Sequence, residues 1–287
     1  MEIKRKIDKN KHKSLIIIVF FFGNLPWYYP YFLHSCIYNP TIDFLIVTDN
    51  NLTDKLPENI YWLKKSKEEI KKLTSHKLKC NITLDPQPYK FCDFRPAFGT
   101  IFQDYIKDYD FWGHGDLDVI FGKIRHFITD KLMDQYDIIS MRHSYISSWF
   151  TLYRNCMRIN KLFSMSRDYE KVFTTPKYYN FDETNFTFME FFDGLPYQQI
   201  NSEIESMTHL VKRLHNENYI RAYFDLHAIE RVTGNIKWDK GHFIYKNEYE
   251  YEFMLYHLKH FKRIYNPAIK PKKVPDFFRI SQSRIYF

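Results

Sequence analysis

The stretch DYDFWGHGDLDVIFG, residues 108–122, places two carboxylates, Asp116 and Asp118, one residue apart between an aromatic run and an apolar Val-Ile-Phe. Adjacent like charges repel each other, and neither carboxylate can be buried without a partner. Mg²⁺ or Mn²⁺ would remove this repulsion, because such an ion binds one or two carboxylates and completes its coordination with water and phosphate oxygens. The pattern therefore indicates a metal site that handles phosphate, and its alternative is a solvated turn at the end of a strand.

Two common phosphate-binding motifs are missing from the sequence. No G-x-G-x-x-G follows the first predicted strand, and no G-x-x-x-x-G-K-[ST] occurs anywhere in the chain. Rossmann-type dinucleotide binding and Walker-type phosphate binding therefore lose support. A phosphate site without a glycine cradle depends on carboxylates and a divalent cation.

Strands and helices alternate over roughly the first half of the chain. Apolar runs rich in β-branched and aromatic residues predict four strands, at Leu15–Phe22, Asp43–Asp49, residues 110–116 and Tyr136–Met141. Helical spacing or capping signals predict helices near Tyr29–Tyr38, over Ser66–Lys77 with Ser66 at the N-cap and Glu69 at N3, and over Phe91–Tyr109. This order is typical of an α/β fold with a mostly parallel, doubly wound sheet and helices on both faces. Ligands bind such sheets at the carboxyl ends of the strands, so we expect Asp49 to lie at the same crevice as Asp116 and Asp118.

The second half of the chain is less regular. It predicts a helix near Ser202–Asn216 and a hairpin that turns at Lys240–Gly241. No internal repeat and no clear linker divide the chain. We therefore expect one domain over residues 15–265, flanked by basic tails at residues 1–14 and 266–287.

The charge balance is basic, with 42 Lys and Arg against 34 Asp and Glu, and many of the basic residues lie near the two ends. Solvated termini explain this pattern, and so does attraction of Lys270, Lys272 and Lys273 to an anionic membrane or a phosphate-bearing substrate. Nucleic acid is not an expected partner, because no nucleic-acid recognition motif accompanies the charge.

Cysteine usage and hydropathy bear on the compartment. The four cysteines form no C-x-x-C pair, which favours reduced thiols in the cytoplasm. The apolar run Leu15–Phe22 is far shorter than the roughly 20 residues that a membrane-spanning helix requires. We expect a cytoplasmic protein that its basic tail could bring to a membrane surface.

The segment DYDFWGHGDLDVIFGKIRHFI resembles the Asp-x-Asp segment of GT-A-fold glycosyltransferases. More closely, the chain resembles capsular or surface polysaccharide glycosyltransferase-like proteins. The blocks that carry this resemblance follow one another over most of residues 15–262: IIIVFFFGNLPWYYPYFLHSC, NPTIDFLIVTDN, YKFCDFRPAFGTIF, FWGHGDLDVIFG, FTLYRN, FDE and LYHLKHFK.

The resemblance implies a GT-A-like fold and an activity. The expected reaction is transfer of a sugar from a nucleoside-diphosphate sugar, with a UDP-sugar as the expected donor, to a hydroxyl of a glycan or lipid-linked glycan. The expected cofactor is Mn²⁺ or Mg²⁺. Whether the transfer inverts or retains the anomeric configuration is left open.

The resemblance also implies roles for individual residues on the donor side. The implied metal ligands are Asp116, Asp118 and His257, with His260 as the competitor of His257, and Asp116 could contact the donor ribose instead. The remaining implied donor contacts are Phe21, Gly23 and Asp49 at the base and ribose, and Asp93 with Arg95 near the donor sugar and phosphates.

On the acceptor side, the resemblance points to the acidic pair in NFDET. An inverting transfer requires a carboxylate that deprotonates the acceptor hydroxyl, and Asp182 and Glu183 are the candidates. An acidic pair at a helix N-terminus would have the same appearance.

Two other functional classes remain open at this point. A polymerase-β-like nucleotidyltransferase also uses an Asp-x-Asp strand, but the nearest upstream glycine feature, Gly99-Thr100, is too distant from Asp116. A non-catalytic carbohydrate-binding module would suit the 23 Tyr and 5 Trp residues, which an aromatic core explains equally well.

Overall fold

The structure is a computed structural model that describes residues 12–52, 55–84, 88–269, 271 and 273–287. Its strands are β1 Leu15–Phe21, β2 Ile42–Thr48, β3 Ile60–Lys64, β4 Phe111–Gly115, β5 Val119–Phe121, β6 Ile138–Ser140, β7 Phe150–Arg154, β8 Ala222–Phe224, β9 Ala228–Ile229, β10 Ile236–Asp239, β11 His242–Lys246, β12 Glu250–Phe253, β13 Leu255–His257, β14 Phe277–Ile280 and β15 Ile285–Tyr286.

The α-helices are mostly short. They are α1 Tyr29–Ile37, α2 Lys67–Leu78, α3 Phe98–Ile101, α4 Gln103–Ile106, α5 Ile124–Phe127, α6 Asp130–Gln135, α7 Met157–Asn160, α8 Tyr169–Thr174, α9 Phe188–Phe192, α10 Met207–Asn216 and α11 Phe261–Ile264. Three 3₁₀ segments accompany them, at Pro88–Ala97, Leu162–Met165 and Tyr197–Gln199.

A seven-stranded sheet in the order β3-β2-β1-β4-β7-β6-β8 forms the centre of the fold. Its pairings are parallel except for those of β7, which runs antiparallel to both of its neighbours. The α/β class with a mostly parallel central sheet, predicted from the sequence, is confirmed.

Both faces of this sheet are covered. Successive side chains of a strand point to opposite faces, so β1 supplies two separate cores. Leu15, Ile17 and Val19 pack in the core that contains α1, whereas Ile16 and Ile18 pack in the core that contains α3 and α10. Every residue of β2 is buried, as expected for a strand between two layers.

Two smaller sheets extend the fold: β12-β11-β10-β14-β15 and β5-β13-β9. The predicted hairpin is present as β10 and β11, with Lys240 and Gly241 at positive φ in its turn. The predicted capping box of α2 is also present, since Ser66 Oγ accepts from Glu69 N and Glu69 Oε2 accepts from Ser66 N.

The expected C-terminal tail is partly an element of the fold. Phe278 and Ile280 are buried while Phe277 and Arg279 are exposed, and this alternation places β14 beside β10 with β15 at its other edge. Residues 277–286 therefore pack with the domain. Lys270, Lys272 and residues 1–11 of the N-terminal tail lie outside the described residues.

The helix expected over Phe91–Tyr109 is wrong as a single element. A 3₁₀ segment, Pro88–Ala97, precedes the short helices α3 and α4. Pro96 explains the break, because proline lacks the N–H that an α-helix needs and its ring clashes with the preceding turn. β3, for which the sequence analysis named no strand, adds the edge strand beside β2.

In the part of the chain that the structure describes, all four cysteines are free thiols. No helix within that part combines the length and apolar character needed to span a membrane.

Candidate metal centre

The Asp-x-Asp segment links two sheets. β4 ends at Gly115, and the chain then leaves the central sheet and forms β5, which pairs antiparallel with β13. In this pairing Val119 lies opposite His257, and Leu258 N donates to the Asp118 carbonyl oxygen. The long-range pairing of β5 with β13 therefore fixes His257 beside Asp118.

The approach of β13 depends on the residue after β5. A side chain at Gly122 would place its Cβ 2.9 Å from the Phe253 carbonyl oxygen and 3.0 Å from that of Met254. Only glycine lets the two backbones approach this closely.

Asp116, Asp118 and His257 form one cluster. Each offers one ligand atom, and these atoms lie within 4.8 Å of one another. Asp118 and His257 are buried, and Asp116 is partly exposed. Two carboxylates and one imidazole make a donor set that suits Mn²⁺, which accepts nitrogen as well as oxygen. The residues present therefore fit a divalent cation.

A second carboxylate lies behind the imidazole. His257 Nε2 is 3.5 Å from Asp118 Oδ1, and Nδ1 on the other side of the ring is 3.0 Å from Glu230 Oε1. Glu230 is also paired with Arg142. A carboxylate at the far nitrogen of a ligating histidine fixes the orientation of its ring, so Glu230 is placed to position His257.

The protein balances the acidic charge of this cluster with its own cations. Burial alone would raise the pKa of Asp118, but the hydrogen bonds and charges of His257 and Lys262 hold that pKa well below its usual range. Burial would lower the pKa of His257, yet Asp118 and Glu230 raise it to about 9. Lys262 Nζ lies 2.6 Å from Asp118 Oδ2. His257 and Lys262 therefore balance the negative charge of Asp118.

Arg95 joins the Asp116–Asp118–His257 cluster to another acid, Asp182. Its guanidinium donates to Asp116 Oδ1 and, over 3.0 Å, to Asp182 Oδ2. Asp182 is fully buried, and its Oδ1 has no hydrogen-bond partner among the described residues. Burial raises the pKa of Asp182 well above its usual range despite Arg95. Arg95 thus places Asp182 next to the cluster.

Glu183 points to a different set of partners. Its Oε1 accepts from Ser148 N and its Oε2 from Asn180 Nδ2, both over 2.9 Å. Because both oxygens are engaged and the residue is buried, Glu183 is held in the loop that carries Asp182. The general-base role of either acid stays a prediction.

Asp93 is not a partner of Arg95. It is fully buried, and its carboxylate accepts from Lys90 Nζ, Tyr179 N and Phe181 N over 2.8–3.0 Å. In a 3₁₀ segment with three residues per turn, side chains two apart point in different directions. Asp93 therefore anchors the loop that leads to Asp182, and its expected contact with the donor stays a prediction.

The predicted base and ribose residues lie at the carboxyl ends of β1 and β2, on the edge of the central sheet where β4 also ends. Gly23 N donates to Asp49 Oδ1 over 2.9 Å, and Gly23 has a φ of +89° that favours glycine. Asn50 Nδ2 donates to the Gly23 carbonyl oxygen. Phe21 ends β1 and is partly buried. These hydrogen bonds connect the residues that follow β1 to the residues that follow β2.

His260 is exposed at the start of α11 and does not belong to the cluster. Two cluster neighbours were not singled out from the sequence. Lys262 lies five residues after His257 in the basic block LYHLKHFK, which offered a signal. Glu230 lies in an irregular segment that carries no local pattern.

A model of a family of unknown function, DUF6625, matches residues 17–286. The chain belongs to the DUF6625 family. No curated protein matches it.

This DUF6625 chain is similar to three solved structures of glycosyltransferases. The galactosyltransferase LgtC, in complex with donor and acceptor sugar analogues, is 12% identical over 55% of this chain and 64% of its own, with a TM-score of 0.35. GlyE of Streptococcus pneumoniae TIGR4 is 8% identical over 75% and 45%, with a TM-score of 0.33. An active-site mutant of LgtC is 9% identical over 73% and 72%, with a TM-score of 0.35.

The chain thus covers less than two thirds of the first two of these proteins.

Proposed function

We propose that this DUF6625 protein is a metal-dependent glycosyltransferase. It transfers a sugar from a nucleoside-diphosphate sugar, with UDP as the nucleotide, to a hydroxyl of a glycan or lipid-linked glycan. The observation that carries this proposal is the meeting of Asp116, Asp118 and His257 at the carboxyl edge of a mostly parallel sheet. Ligands of α/β sheets bind at that edge.

At this edge of the sheet, the donor diphosphate would contact both a metal ion and the cationic side chains of the protein. Asp116, Asp118 and His257 would hold Mn²⁺ or Mg²⁺, which supplies positive charge opposite the charge that grows on the leaving diphosphate. Lys262 is partly exposed and touches Asp118, so its ammonium can turn from the carboxylate to a phosphate oxygen. Arg95 keeps Asp116 in place from the other side.

The acceptor side rests on Asp182. Arg95 donates to both Asp182 and Asp116, so one side chain connects Asp182 to the proposed donor site. Glu183 instead accepts from Ser148 N. Burial raises the pKa of Asp182 despite Arg95, and a more basic carboxylate is better suited to take a proton from an acceptor hydroxyl. An inverting transfer would use this base, and a retaining transfer would not need it.

A screen of nucleotide sugars tests the proposal. We expect at least one UDP-sugar to be hydrolysed slowly and to raise the unfolding temperature, in both cases only when Mn²⁺ or Mg²⁺ is present. Hydrolysis or stabilisation by no nucleotide sugar with either metal would reject a glycosyltransferase. Release of pyrophosphate from a nucleoside triphosphate would instead identify a nucleotidyltransferase.

A further inference from the structure

A second group of potential metal ligands lies away from the Asp-x-Asp segment. His126 comes from α5, His242 from β11 and Glu252 from β12. One ligand atom from each residue lies within 4.8 Å of the others. The helix α5 and the β11–β12 hairpin, which are distant in sequence, thus present two imidazoles and one carboxylate to the same point.

The β11–β12 hairpin explains why two of these side chains share a face. Ile244 lies opposite Glu252, and His242 lies two residues before Ile244, so His242 and Glu252 are diagonal neighbours on one face of the hairpin. The other face carries Phe243 and Phe253, whose stacked rings are buried in the core. His242 and Glu252 therefore point away from the core.

The third residue comes from the segment that follows β5. The start of this segment abuts the β10–β11 turn, since a Cβ on Gly241 would lie 3.0 Å from Lys123 Cε. His126 then faces His242, with ring centroids 5.4 Å apart. The two imidazoles flank the Glu252 carboxylate.

The two histidine–carboxylate separations are close to the distance between neighbouring ligand atoms of a tetrahedral zinc site. His242 Nδ1 lies 3.0 Å from Glu252 Oε1, and His126 Nδ1 lies 3.2 Å from Glu252 Oε2. Zn²⁺ binds histidine nitrogen and carboxylate oxygen at about 2.0–2.2 Å, which separates neighbouring ligand atoms by about 3.3 Å in a tetrahedron. Small side-chain rotations would therefore bring the three ligands onto one ion.

The chemistry of this donor set also differs from that of the first cluster. Two imidazoles and one carboxylate form a set that zinc uses with water as the fourth ligand. Asp116, Asp118 and His257 offer more oxygen and suit Mn²⁺ or Mg²⁺. The side chains of His126, His242 and Glu252 are 49%, 43% and 32% exposed, so a metal ion and its water can reach them.

We propose that His126, His242 and Glu252 form a Zn²⁺ site that ties the β11–β12 hairpin to α5. The site is separate from the proposed catalytic centre and does not depend on the proposed function. The helix α5 follows β5, and β5 follows Asp118 directly. The ion would therefore connect the sheet β12-β11-β10-β14-β15 to the segment that carries the Asp-x-Asp acids.

Zinc titration of the EDTA-treated full-length protein tests the site. The experiment uses the Asp118→Asn background, so that the first cluster contributes little to metal binding. We expect one equivalent of Zn²⁺ in isothermal titration calorimetry, and a rise in unfolding temperature of about 5 °C at a Zn²⁺ concentration near 100 times Kd. Mn²⁺ at the same concentration should give no comparable rise.

Single variants separate a built site from scattered surface histidines. His126→Ala, His242→Ala and Glu252→Ala should each weaken Zn²⁺ binding at least tenfold, whereas His260→Ala, at an exposed histidine outside the group, should leave it unchanged. Co²⁺ should give the intense visible absorption of a tetrahedral complex, and His126→Ala should remove it. Zinc binding that all three ligand variants retain, or no stoichiometric binding at all, would overturn the proposal.

Discussion

Two groups of buried charges in this protein differ in the hydrogen-bond partners of their acids. The Asp93 carboxylate accepts hydrogen bonds from two backbone N–H groups and from Lys90 Nζ. Lys90 Nζ also donates to the carbonyl oxygens of Val172 and Lys177. Both side chains are fully buried. The acids of the Asp-x-Asp segment are instead neutralised by side chains, and one of these, Lys262, is 36% exposed.

The difference separates a structural ion pair from the proposed metal-binding site. A buried charge bonded to backbone on all sides cannot exchange its partners without unfolding a loop. Asp118 can exchange Lys262 for a metal ion, because a long lysine side chain turns into solvent at little cost. Sequence alone makes both groups look alike, as acids near a predicted helix or strand end.

Lys90→Met should have the largest effect on stability. The substitution leaves Asp93 buried without its counter-charge, so we expect the free energy of unfolding to fall by about 3–5 kcal/mol. Urea denaturation measures this change. Lys77→Met breaks an ion pair with the exposed Asp104 and serves as the matched control, with an expected cost of about 1 kcal/mol or less. Equal costs for the two variants would contradict the structural role of Lys90.

His257→Ala should have the largest effect on metal binding among the histidine variants. The alanine removes the nitrogen ligand and leaves Glu230 without a ring to orient, so we expect the Kd for Mn²⁺ to rise about tenfold to a hundredfold. Isothermal titration calorimetry with Mn²⁺ measures it. His260→Ala is the control, because His260 is exposed and outside the cluster. If the two variants bind Mn²⁺ equally well, His257 is not a ligand.

Lys262→Met should have a smaller and more selective effect. Removing the ammonium should weaken the binding of UDP in the presence of Mn²⁺ by about tenfold, because one cation near the phosphates is lost. Binding of Mn²⁺ alone should be unchanged or tighter, since Asp118 no longer carries a competing lysine. Parallel titrations with Mn²⁺ and with UDP separate the two effects. Weaker binding of Mn²⁺ alone would mean that Lys262 supports the metal site rather than the phosphates.

Local patterns predicted the elements that position the site. The buried runs of β1 and β2, the Ser66–Glu69 capping box and the β10–β11 turn all depend on residues close in sequence. The strand β13 brings His257 to the Asp-x-Asp acids through its pairing with β5.

Long-range contacts explain the features that the sequence analysis missed. Nothing near Asp93 shows that backbone groups 86 and 88 residues later take up its carboxylate. Glu230 reaches His257 only because β9 and β13 are neighbours in the third sheet. The basic residues around β14 led to the prediction of a tail and not of a strand. Phe278 and Ile280 nevertheless alternate with exposed positions, as in a strand with one buried face.

We propose that the Asp-x-Asp cluster binds a nucleoside diphosphate through a divalent metal ion. Calorimetric titration of UDP into the wild-type protein, with Mn²⁺ and with EDTA, and into Asp118→Asn with Mn²⁺, tests it most directly. We predict saturable binding only in the wild type with Mn²⁺, and a loss of at least tenfold in Asp118→Asn, whose circular dichroism should match the wild type. UDP binding that is equal in EDTA, or equal in Asp118→Asn, would contradict the claim.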